Sequence, residues 1–419
     1  MSNLFENLSD IYGNREVILL AEKTGYRLFP FRELTCGDCL HFTNLAAEAF
    51  IREIDLKKGE RVVLCIPDPA EMLLVAVSLI KAGGIAVPLD HRLPAAEIAR
   101  RMQGCLAELA VVDGRVLVER ADLTRALQGV DRLMVSGPRS QAPDGIPSLD
   151  CAMDLSSGFF LPYTLKPTNV VGLFYTVLED GDLRAVMVTN EGLLGPQRWL
   201  AALFPTRPGE RCVHAGEIWN AEGFSSCVLG LCMGLHMCFV QGTGPQSILA
   251  LVESEKTAAL MASSQDCASM AQAVAGKGYI SQVRLWFLYG GDLHQRMLDE
   301  CRRLSLRHRG NLSLPPCFVE ACNAGGNATL LALRAVLPFR ALTVGGPCLV
   351  IPPNAMRIVD ERGRQVKRGE EGELVIKGPA VTPGYWNDFE RTLEAKREGW
   401  LYTGIRAKRS RLFISDKSS

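Results

Sequence analysis

Hydrophobic and polar positions change period repeatedly along the first part of the chain. Over residues 36–54, the apolar side chains Phe42, Leu45 and Ala49 recur at the spacing of one helical face. Residues 61–67, with the sequence RVVLCIP, form a continuous apolar run of strand length. Such β-branched runs are typical of parallel strands that are buried on both faces. The pattern predicts a helix followed by a buried strand.

The same alternation continues through the next fifty residues. Periodicity predicts helices over 70–82 and 95–106, and short apolar runs predict strands over 84–89 and 109–112. Strands and helices that alternate at this spacing form a doubly wound parallel sheet. A second α/β unit is predicted in the following half of the chain, with strands over 171–175, 238–241, 258–262 and 285–288.

The pattern changes after residue 342, where short strand-like runs are separated by glycine turns. A small β-rich unit is predicted from the runs over 355–359, 372–377, 400–403 and 411–415. We therefore expect an α/β protein with two doubly wound βαβ subdomains plus a small β-rich subdomain. The predicted boundaries are 1–168 for the first α/β subdomain, 169–342 for the second and 343–419 for the β-rich one.

Composition excludes several classes of partner. The 419 residues are 47% hydrophobic and 22% charged, as in a well-packed soluble protein. The 46 basic residues equal the 46 acidic ones, so no cationic excess exists to hold nucleic acid or an anionic membrane. The longest apolar run, 227–240, is too short to span a bilayer, and residues 1–15 lack the apolar stretch of a secretory signal. We expect a cytoplasmic protein without nucleic-acid or membrane partners.

The 14 cysteines include one CxxC pair, Cys36 and Cys39. No second pair of ligands stands at a spacing that would complete a zinc site. Buried small hydrophobic side chains are the favoured interpretation, with metal or redox use as the alternative. The same interpretation applies to Cys227, Cys232 and Cys238, which lie in an apolar segment.

Several segments, in the same order along the chain, resemble the AMP-binding superfamily of adenylate-forming enzymes, which includes acyl-CoA synthetases, adenylation domains and luciferases. Residues 55–94 resemble its first subdomain, and residues 369–404 resemble its β-rich subdomain. Between them, LYGGDL at 288–293 resembles the segment whose glycine pair approaches adenine and substrate, and TVGGP at 343–347 resembles the entry into the β-rich subdomain. The resemblance implies the family's fold and its chemistry, in which a carboxylic acid and ATP give an acyl-adenylate.

The family's phosphate loop, (S/T)SGTTGxPKG, resembles the segment TVLEDGDLRA that begins at Thr176. In the family, the glycines, hydroxyls and lysine of this loop hold the ATP phosphates. Gly181 and the cation Arg184 remain here, whereas the two threonines correspond to Glu179 and Asp180. A carboxylate about 4 Å from a phosphate costs several kcal/mol in a partly screened site. We expect weakened nucleotide binding, or a solvated loop with no nucleotide role.

Other positions of the resemblance are substituted as well. The family's adenine-stacking aromatic and magnesium-holding Glu correspond to Cys322 and Gly326, with Glu320 as a substitute oxygen ligand. Beyond Thr403, the ribose-binding Asp of the family is lost by substitution or deletion, and Ile405 cannot accept a hydrogen bond. The nucleotide-binding positions that the resemblance implies are Thr176, Gly181, Arg184, Gly290, Gly291 and Thr403.

The resemblance places an acyl or aryl pocket at Asn220 and Gly223, in a motif that usually carries His or an aromatic residue at the Asn220 position. A plain core or loop role for Asn220 is the alternative. The final segment LFISDK resembles the strand before the family's hinge, so we expect the mobile C-terminal domain, with its adenylation lysine, to be missing. The cations Arg406, Lys408, Arg409 and Arg411 lie here, as a solvated strand edge or an anion site.

Two functions follow from the resemblance. The first is an adenylation-fold pseudoenzyme that needs no cofactor and binds a small carboxylic acid or acyl group, a carrier protein or a partner synthetase. The second is an active ATP-dependent acyl or aryl acid ligase, completed by a C-terminal domain in trans, with Mg²⁺ held by Glu179, Asp180 or Glu320. An oxidoreductase has little support, because no G-x-G-x-x-G follows an early strand. No catalytic residue is assigned.

Overall fold

The computed structural model describes most of the chain. The described residues are 1–20, 25–127, 130–178, 181–201, 204, 206–240, 244–273, 280, 282–290, 295–305, 307–309, 312–314, 316–322, 329–336, 349–409 and 414–417. Within these ranges, no helix combines the length and the apolar character needed to cross a membrane.

The helices of the described residues are α1 Leu4–Tyr12, α2 Cys36–Ile54, α3 Pro69–Lys81, α4 Ala95–Gly104, α5 Gly114–Glu119, α6 Ala121–Ala126, α7 Leu149–Asp154, α8 Asn190–Leu200, α9 Ala221–Cys232, α10 Pro245–Ser254, α11 Ser264–Ala273, α12 Gln295–Leu304 and α13 Phe389–Ala395. Helix α2 begins at a capping box, because the Thr35 side chain accepts from the Asp38 N–H and the Asp38 carboxylate accepts from the Thr35 N–H. Helix α3 begins behind Asp68 as N-cap, with Pro69 in its first turn. The predicted helix over 36–54 is confirmed at both ends.

The strands are β1 Glu16–Leu19, β2 Glu33–Thr35, β3 Arg61–Cys65, β4 Ile85–Pro88, β5 Leu109–Asp113, β6 Arg132–Ser136, β7 Val170–Val177, β8 Leu183–Thr189, β9 Arg211–His214, β10 His236–Phe239, β11 Ala259–Ser263, β12 Leu285–Tyr289, β13 Arg307–Arg309, β14 Leu312–Leu314, β15 Cys317–Cys322, β16 Ala332–Val336, β17 Leu349–Val350, β18 Ala355–Val359, β19 Glu371–Lys377, β20 Lys396–Arg397, β21 Trp400–Arg409 and β22 Ile414–Lys417. The apolar runs predicted as strands over 61–67, 84–89, 109–112 and 285–288 coincide with β3, β4, β5 and β12.

Six strands form the first sheet, in the order β6-β5-β3-β4-β7-β8. Its first five strands are parallel, and β8 is antiparallel to β7. The central strands β3, β4 and β5 are almost wholly buried, as the continuous apolar runs predicted. Helices therefore cover both faces of this sheet.

Nine strands form the second sheet, in the order β17-β16-β15-β12-β11-β9-β10-β1-β2. The run from β1 to β15 is parallel, with antiparallel strands at both edges. A third sheet, β18-β19-β21-β20 with β22 against β21, is antiparallel. The predicted α/β class with an additional β-rich part is confirmed.

The two large sheets do not divide at the boundary between residues 168 and 169 that the sequence predicts. Strands β7 and β8 extend the first sheet, although they follow residue 168, and β1 and β2 belong to the second sheet. The physical reason is that a β-hairpin adds to the nearest free strand edge, here β4, and not to the unit that follows it in sequence. The subdomain boundaries stay predictions.

Helix α1 contacts α2 and α3 through an ion pair whose cation, Lys81, is buried. The Lys81 ammonium at the end of α3 lies 2.6 Å from Glu6 of α1 and donates to the Asn44 side chain of α2 at 2.5 Å. The Lys81 side chain is only 1% exposed, and burial lowers its pKa. Three helices thus share one buried cation.

Candidate functional site

A cavity of about 1060 Å³ lies where the carboxyl ends of parallel strands from the two large sheets face each other. From the first sheet it is lined by residues that follow β3, β4 and β5, and from the second by residues that follow β9, β10, β11 and β12. In open α/β sheets, ligands bind in crevices at this edge of the strands. Its volume lies slightly above the range of about 300–1,000 Å³ that is usual for small-molecule sites.

One wall of the cavity is built from Trp219, Arg92 and His91. The Arg92 guanidinium lies over the Trp219 ring, 4.9 Å from its centroid, and the His91 ring meets the same indole edge-on at 6.1 Å. Burial lowers the pKa of His91, so its imidazole is neutral near pH 7. This wall combines aromatic surface with one guanidinium cation.

Arg92 joins the two sheets across the cavity. Its Nε and Nη2 each lie 2.9 Å from an Asp90 carboxylate oxygen, and Nη2 also donates to Glu217 at 2.6 Å. Asp90 follows β4, whereas Glu217 follows β9. The Asp90 hydrogen bonds, together with Glu217, raise the pKa of Arg92.

Acidic side chains outnumber basic ones in the described lining of the cavity. The second arginine, Arg115, is paired with Asp113 at 3.1 Å. Both cations are therefore already matched by carboxylates of the protein. An anionic ligand would meet unfavourable charge unless it exchanged with one of these partners. The lining carboxylates are Asp68, Glu119, Glu217, Glu222 and Asp266.

Tyr289 at the end of β12 contacts a buried polar group behind the cavity. Its hydroxyl lies 3.4 Å from His214 Nε2, which is 2.9 Å from the Ser226 hydroxyl. Burial lowers the pKa of His214 to about 4, so the imidazole is neutral at pH 7. Gly216 permits this arrangement, since a Cβ there would overlap the Tyr289 hydroxyl.

Both residues predicted for the substrate pocket lie at the start of α9. Asn220 lines the cavity and is the N-cap, because its side-chain oxygen accepts from the Gly223 N–H at 2.7 Å. Gly223 is buried, and a Cβ at this position would overlap the Glu217 carbonyl oxygen. Asn220 therefore has a structural role and also lines the cavity, while its role in an acyl or aryl pocket stays a prediction.

Gly290, from the glycine-pair motif, also borders the cavity, and its nucleotide role stays a prediction. Its φ of +63° lies in the left-handed region, which favours glycine. A Cβ here would stand 3.0 Å from a Glu222 carboxylate oxygen. Gly291, its predicted partner, lies outside the described residues, as does the TVGGP motif.

The segment that resembles the phosphate loop connects the two strands of a β-hairpin. Thr176 of β7 pairs with Arg184 of β8, and Gly181, with φ +84°, donates its N–H to the Leu178 carbonyl. Glu179 and Asp180 at the tip lie outside the described residues. Sequence analysis did not predict strand β8, because the motif was interpreted as a loop up to residue 185. Thr176 and Gly181 do not line the cavity, and their nucleotide role stays a prediction.

The predicted phosphate-binding cation, Arg184, is paired with carboxylates of the protein. Its Nη2 donates to Asp182 at 2.7 Å, and its Nε forms an ion pair with Asp388 at 2.9 Å without hydrogen-bond alignment. Asp388 also caps helix α13 by accepting from the Arg391 N–H. The guanidinium therefore ties the hairpin to the β-rich part of the chain.

Two further predicted positions, Thr403 and Glu320, also have structural partners. The Thr403 hydroxyl donates to the Leu374 carbonyl at 2.8 Å and accepts from the Ile405 N–H, within an irregular part of the β19–β21 pairing. Glu320, the substitute magnesium ligand, is paired with Arg334 at 2.7 Å. Cys322 ends β15, and Gly326 lies outside the described residues.

Of the five cysteines that the sequence analysis singles out, four lie in the interior, as predicted. Cys36, Cys39, Cys227 and Cys238 are fully buried free thiols, and burial raises the pKa of each. Cys232 is half-buried. The cations Arg406 and Lys408 are exposed on β21, and Arg409 is half-buried, whereas Arg411 lies outside the described residues.

Among the described residues, one group has three metal-ligating side chains close together: Glu16, Glu33 and His236. Glu16 and His236 open the parallel strands β1 and β10, so the group lies at the opposite end of the sheet from the cavity. Arg211 already neutralises Glu33 at 3.0 Å.

Sequence reasoning missed the wall formed by Arg92, His91 and Trp219. The available signal was positional, because His91 and Arg92 follow the predicted strand over 84–89 and therefore stand at its carboxyl end. Trp219 was quoted only as part of the motif around Asn220. The pairing of Arg92 with Glu217 joins residues 125 positions apart, which no local pattern indicates.

Comparisons with known proteins agree with this architecture. The family signature described as "AMP-binding enzyme" matches residues 20–386. The 2-succinylbenzoate–CoA ligase of Geobacillus kaustophilus is 23% identical over 387 residues, which are 92% of this chain and 71% of the relative. A 3-hydroxybenzoate–CoA/4-hydroxybenzoate–CoA ligase of Thauera aromatica is 21% identical over 94% of this chain and 71% of its own length.

A solved structure of a benzoate CoA ligase from Burkholderia xenovorans has the same fold. Its TM-score is 0.81 at 16% identity, and the match covers 100% of this chain and 79% of that one. The family match over residues 20–386 confirms the resemblance that the sequence motifs indicated.

Proposed function

The chain belongs to the AMP-binding enzyme family, and from this premise we propose that it binds a small acyl or aryl carboxylic acid in the crevice cavity, while its nucleotide step is impaired. Under this proposal the fold acts as a binding module, which presents the acid or its own surface to a carrier protein or a partner synthetase. The related ligases act on succinylbenzoate and hydroxybenzoate. Their acids are of a size that the cavity admits.

The pairing of Arg184 carries the proposal. Catalysis of phosphoryl and adenylyl transfer depends on positive charge placed in advance around the phosphates. Arg184 is the cation that replaces the loop lysine, and Asp182 and Asp388 already neutralise it. Glu320, the described candidate for the metal, is likewise neutralised by Arg334. These residues do not fit a magnesium triphosphate, so we derive no nucleotide step.

The cavity itself supports binding of an acid. Trp219 and His91 give apolar and aromatic surface, and Arg92 gives a cation. Binding of benzoate, 3-hydroxybenzoate and 2-succinylbenzoate should therefore be detected without nucleotide, by isothermal titration calorimetry of the full chain. A Trp219→Ala variant should bind these acids more weakly, because the aromatic wall is lost, while a Trp400→Ala control, which removes a half-buried tryptophan of the β-rich part outside the cavity lining, should not. Absence of binding for a broad panel of acids would contradict the acid-binding proposal.

An active ATP-dependent ligase is the second candidate, and the preserved surroundings of Gly290 favour it. Both Gly290 and Gly216 line the cavity, and a Cβ at either position would crowd a neighbouring side chain, Glu222 or Tyr289. This candidate predicts acid-dependent exchange of pyrophosphate into ATP in the presence of Mg²⁺. The first proposal predicts no exchange above the background of the protein-free mixture.

A further inference from the structure

The contacts of Arg92 extend the acid-binding proposal, on which this inference rests. We propose that Arg92 is the anchor for the carboxylate of the ligand and that Glu217 is a built-in competitor for that anchor. The acid binds by replacing Glu217 on the guanidinium, so the affinity of the cavity for acids is set partly by a carboxylate of the protein itself.

Arg92 is the cation of the cavity that is open to exchange. Among the described residues of the lining, the permanent cations are Arg92 and Arg115, and none is a lysine. Arg115 is held by Asp113, whose side chain is 1% exposed. Loss of Arg115 would leave the buried Asp113 carboxylate without its cation, so a ligand does not displace Asp113.

The pair between Arg92 and Glu217 differs, because both side chains are about half exposed, at 45% and 50%. Ion pairs between exposed side chains contribute little to stability, so a ligand carboxylate can take the place of Glu217 at small cost. Asp90 stays bound during this exchange, since it contacts Nε as well as Nη2. It keeps the guanidinium in place after Glu217 has left.

Trp219 fixes the direction of the anchor. The guanidinium is stacked on the indole at 4.9 Å, so its edge, and not its face, is presented to a carboxylate. The Trp219 and His91 rings lie beside the same cation and give an aromatic acid an apolar wall. The chemical class indicated is therefore an aromatic carboxylate. The contact holds the ligand, and no chemical step is assigned to it.

The experiment measures the dissociation constants of 3-hydroxybenzoate and of its neutral amide, 3-hydroxybenzamide, for four forms of the full chain. These are the unmodified protein, Glu217→Gln, Arg92→Gln and Glu394→Gln. Glu394 forms an exposed pair with Arg391 on α13 at 3.1 Å, which makes it a matched control for the loss of a surface ion pair.

We expect Glu217→Gln to bind the acid about two- to fivefold more tightly, the factor that corresponds to the loss of an exposed competing pair. The dissociation constant of the amide should not change, because a neutral ligand does not compete with the Glu217 carboxylate for Arg92. Arg92→Gln should weaken binding of the acid about tenfold or more and leave binding of the amide nearly unaffected. Glu394→Gln should change neither constant.

The inference is overturned if Glu217→Gln weakens binding of the acid or leaves its dissociation constant unchanged. It is also overturned if the dissociation constants of acid and amide change by the same factor. Because Gln is isosteric with Glu, this variant keeps the test decisive even if Arg92→Gln fails to fold. If neither probe binds to any form, the acid-binding function fails and this inference fails with it. If both bind without responding to Glu217→Gln, this inference alone fails.

Discussion

At the scale of single residues, two titratable groups, the buried His214 and the half-buried Glu71, have pKa values shifted in opposite directions. Burial lowers the pKa of His214 to about 4. Burial, with Asp113 and Asp68 nearby, raises the pKa of Glu71 to about 7. The native protein therefore keeps His214 neutral and, below about pH 7, keeps Glu71 protonated.

These shifts make stability depend on pH with opposite signs. Between about pH 6.5 and 4, unfolded His214 binds a proton that the native residue does not bind, so the free energy of unfolding falls as the pH falls. Glu71 acts in the opposite sense: its contribution is complete below about pH 4.5 and is lost as the pH rises through about 7.

We predict that, as the pH falls from 6.5 to 4.5, the free energy of unfolding decreases less for His214→Gln than for the unmodified protein. The full pKa shift of His214 corresponds to roughly 3 kcal/mol in the free energy of unfolding. Most of this change falls between pH 6.5 and 4.5. Urea unfolding midpoints at four pH values measure the slope. Glu71→Gln is the opposite-sign control, because it removes the loss of stability above pH 4.5. Equal slopes for His214→Gln and the unmodified protein would refute the assignment.

The residue scale is also where sequence analysis was least complete. The buried cysteines and the lining residues Asn220 and Gly290 were predicted from motifs and spacing. The pairing of Arg184 with Asp388 was not, because it joins residues more than 200 positions apart and depends on where the β-rich part packs. Charges are easy to read from a sequence, but their neutralisation is a property of the folded chain.

At the scale of elements, the first α/β unit was predictable because every local signal agreed. Helix α2 has a capping box and an apolar face, and β3 to β5 are continuous apolar runs between turns. The β7–β8 hairpin was missed, because a family motif and a strand pattern occupy the same residues. The resemblance to the phosphate loop predicted a loop up to residue 185, so the antiparallel strand β8 was not predicted.

Loss of the capping box should destabilise α2 measurably. We expect Thr35→Ala to lower the free energy of unfolding by about 1 kcal/mol, because the Asp38 N–H loses its acceptor and Asp38 loses the Thr35 hydroxyl donor. Thr35→Ser, which keeps the hydroxyl, should retain most of that stability. Chemical denaturation of the three proteins at pH 7 provides the comparison, and equal destabilisation by Ala and Ser would exclude a capping effect.

At the scale of the whole molecule, two parallel sheets meet at their carboxyl edges and enclose the cavity. The ion pair between Arg92 and Glu217 spans this edge, and Arg184 ties the first sheet to the β-rich part. The family fold thus surrounds a cavity large enough for a small acid, while Arg184 and Glu320 are paired with other side chains of the protein. This combination supports the proposal that the protein retains an acid site while its nucleotide step is impaired.

Calorimetric titration of the full chain with Mg-ATP, with AMP as the control nucleotide, tests this claim most directly. We predict no heat of binding above dilution up to millimolar nucleotide, because Arg184 is neutralised by Asp182 and Asp388. Binding of Mg-ATP in the micromolar range would contradict the account and would show that the hairpin still holds a triphosphate.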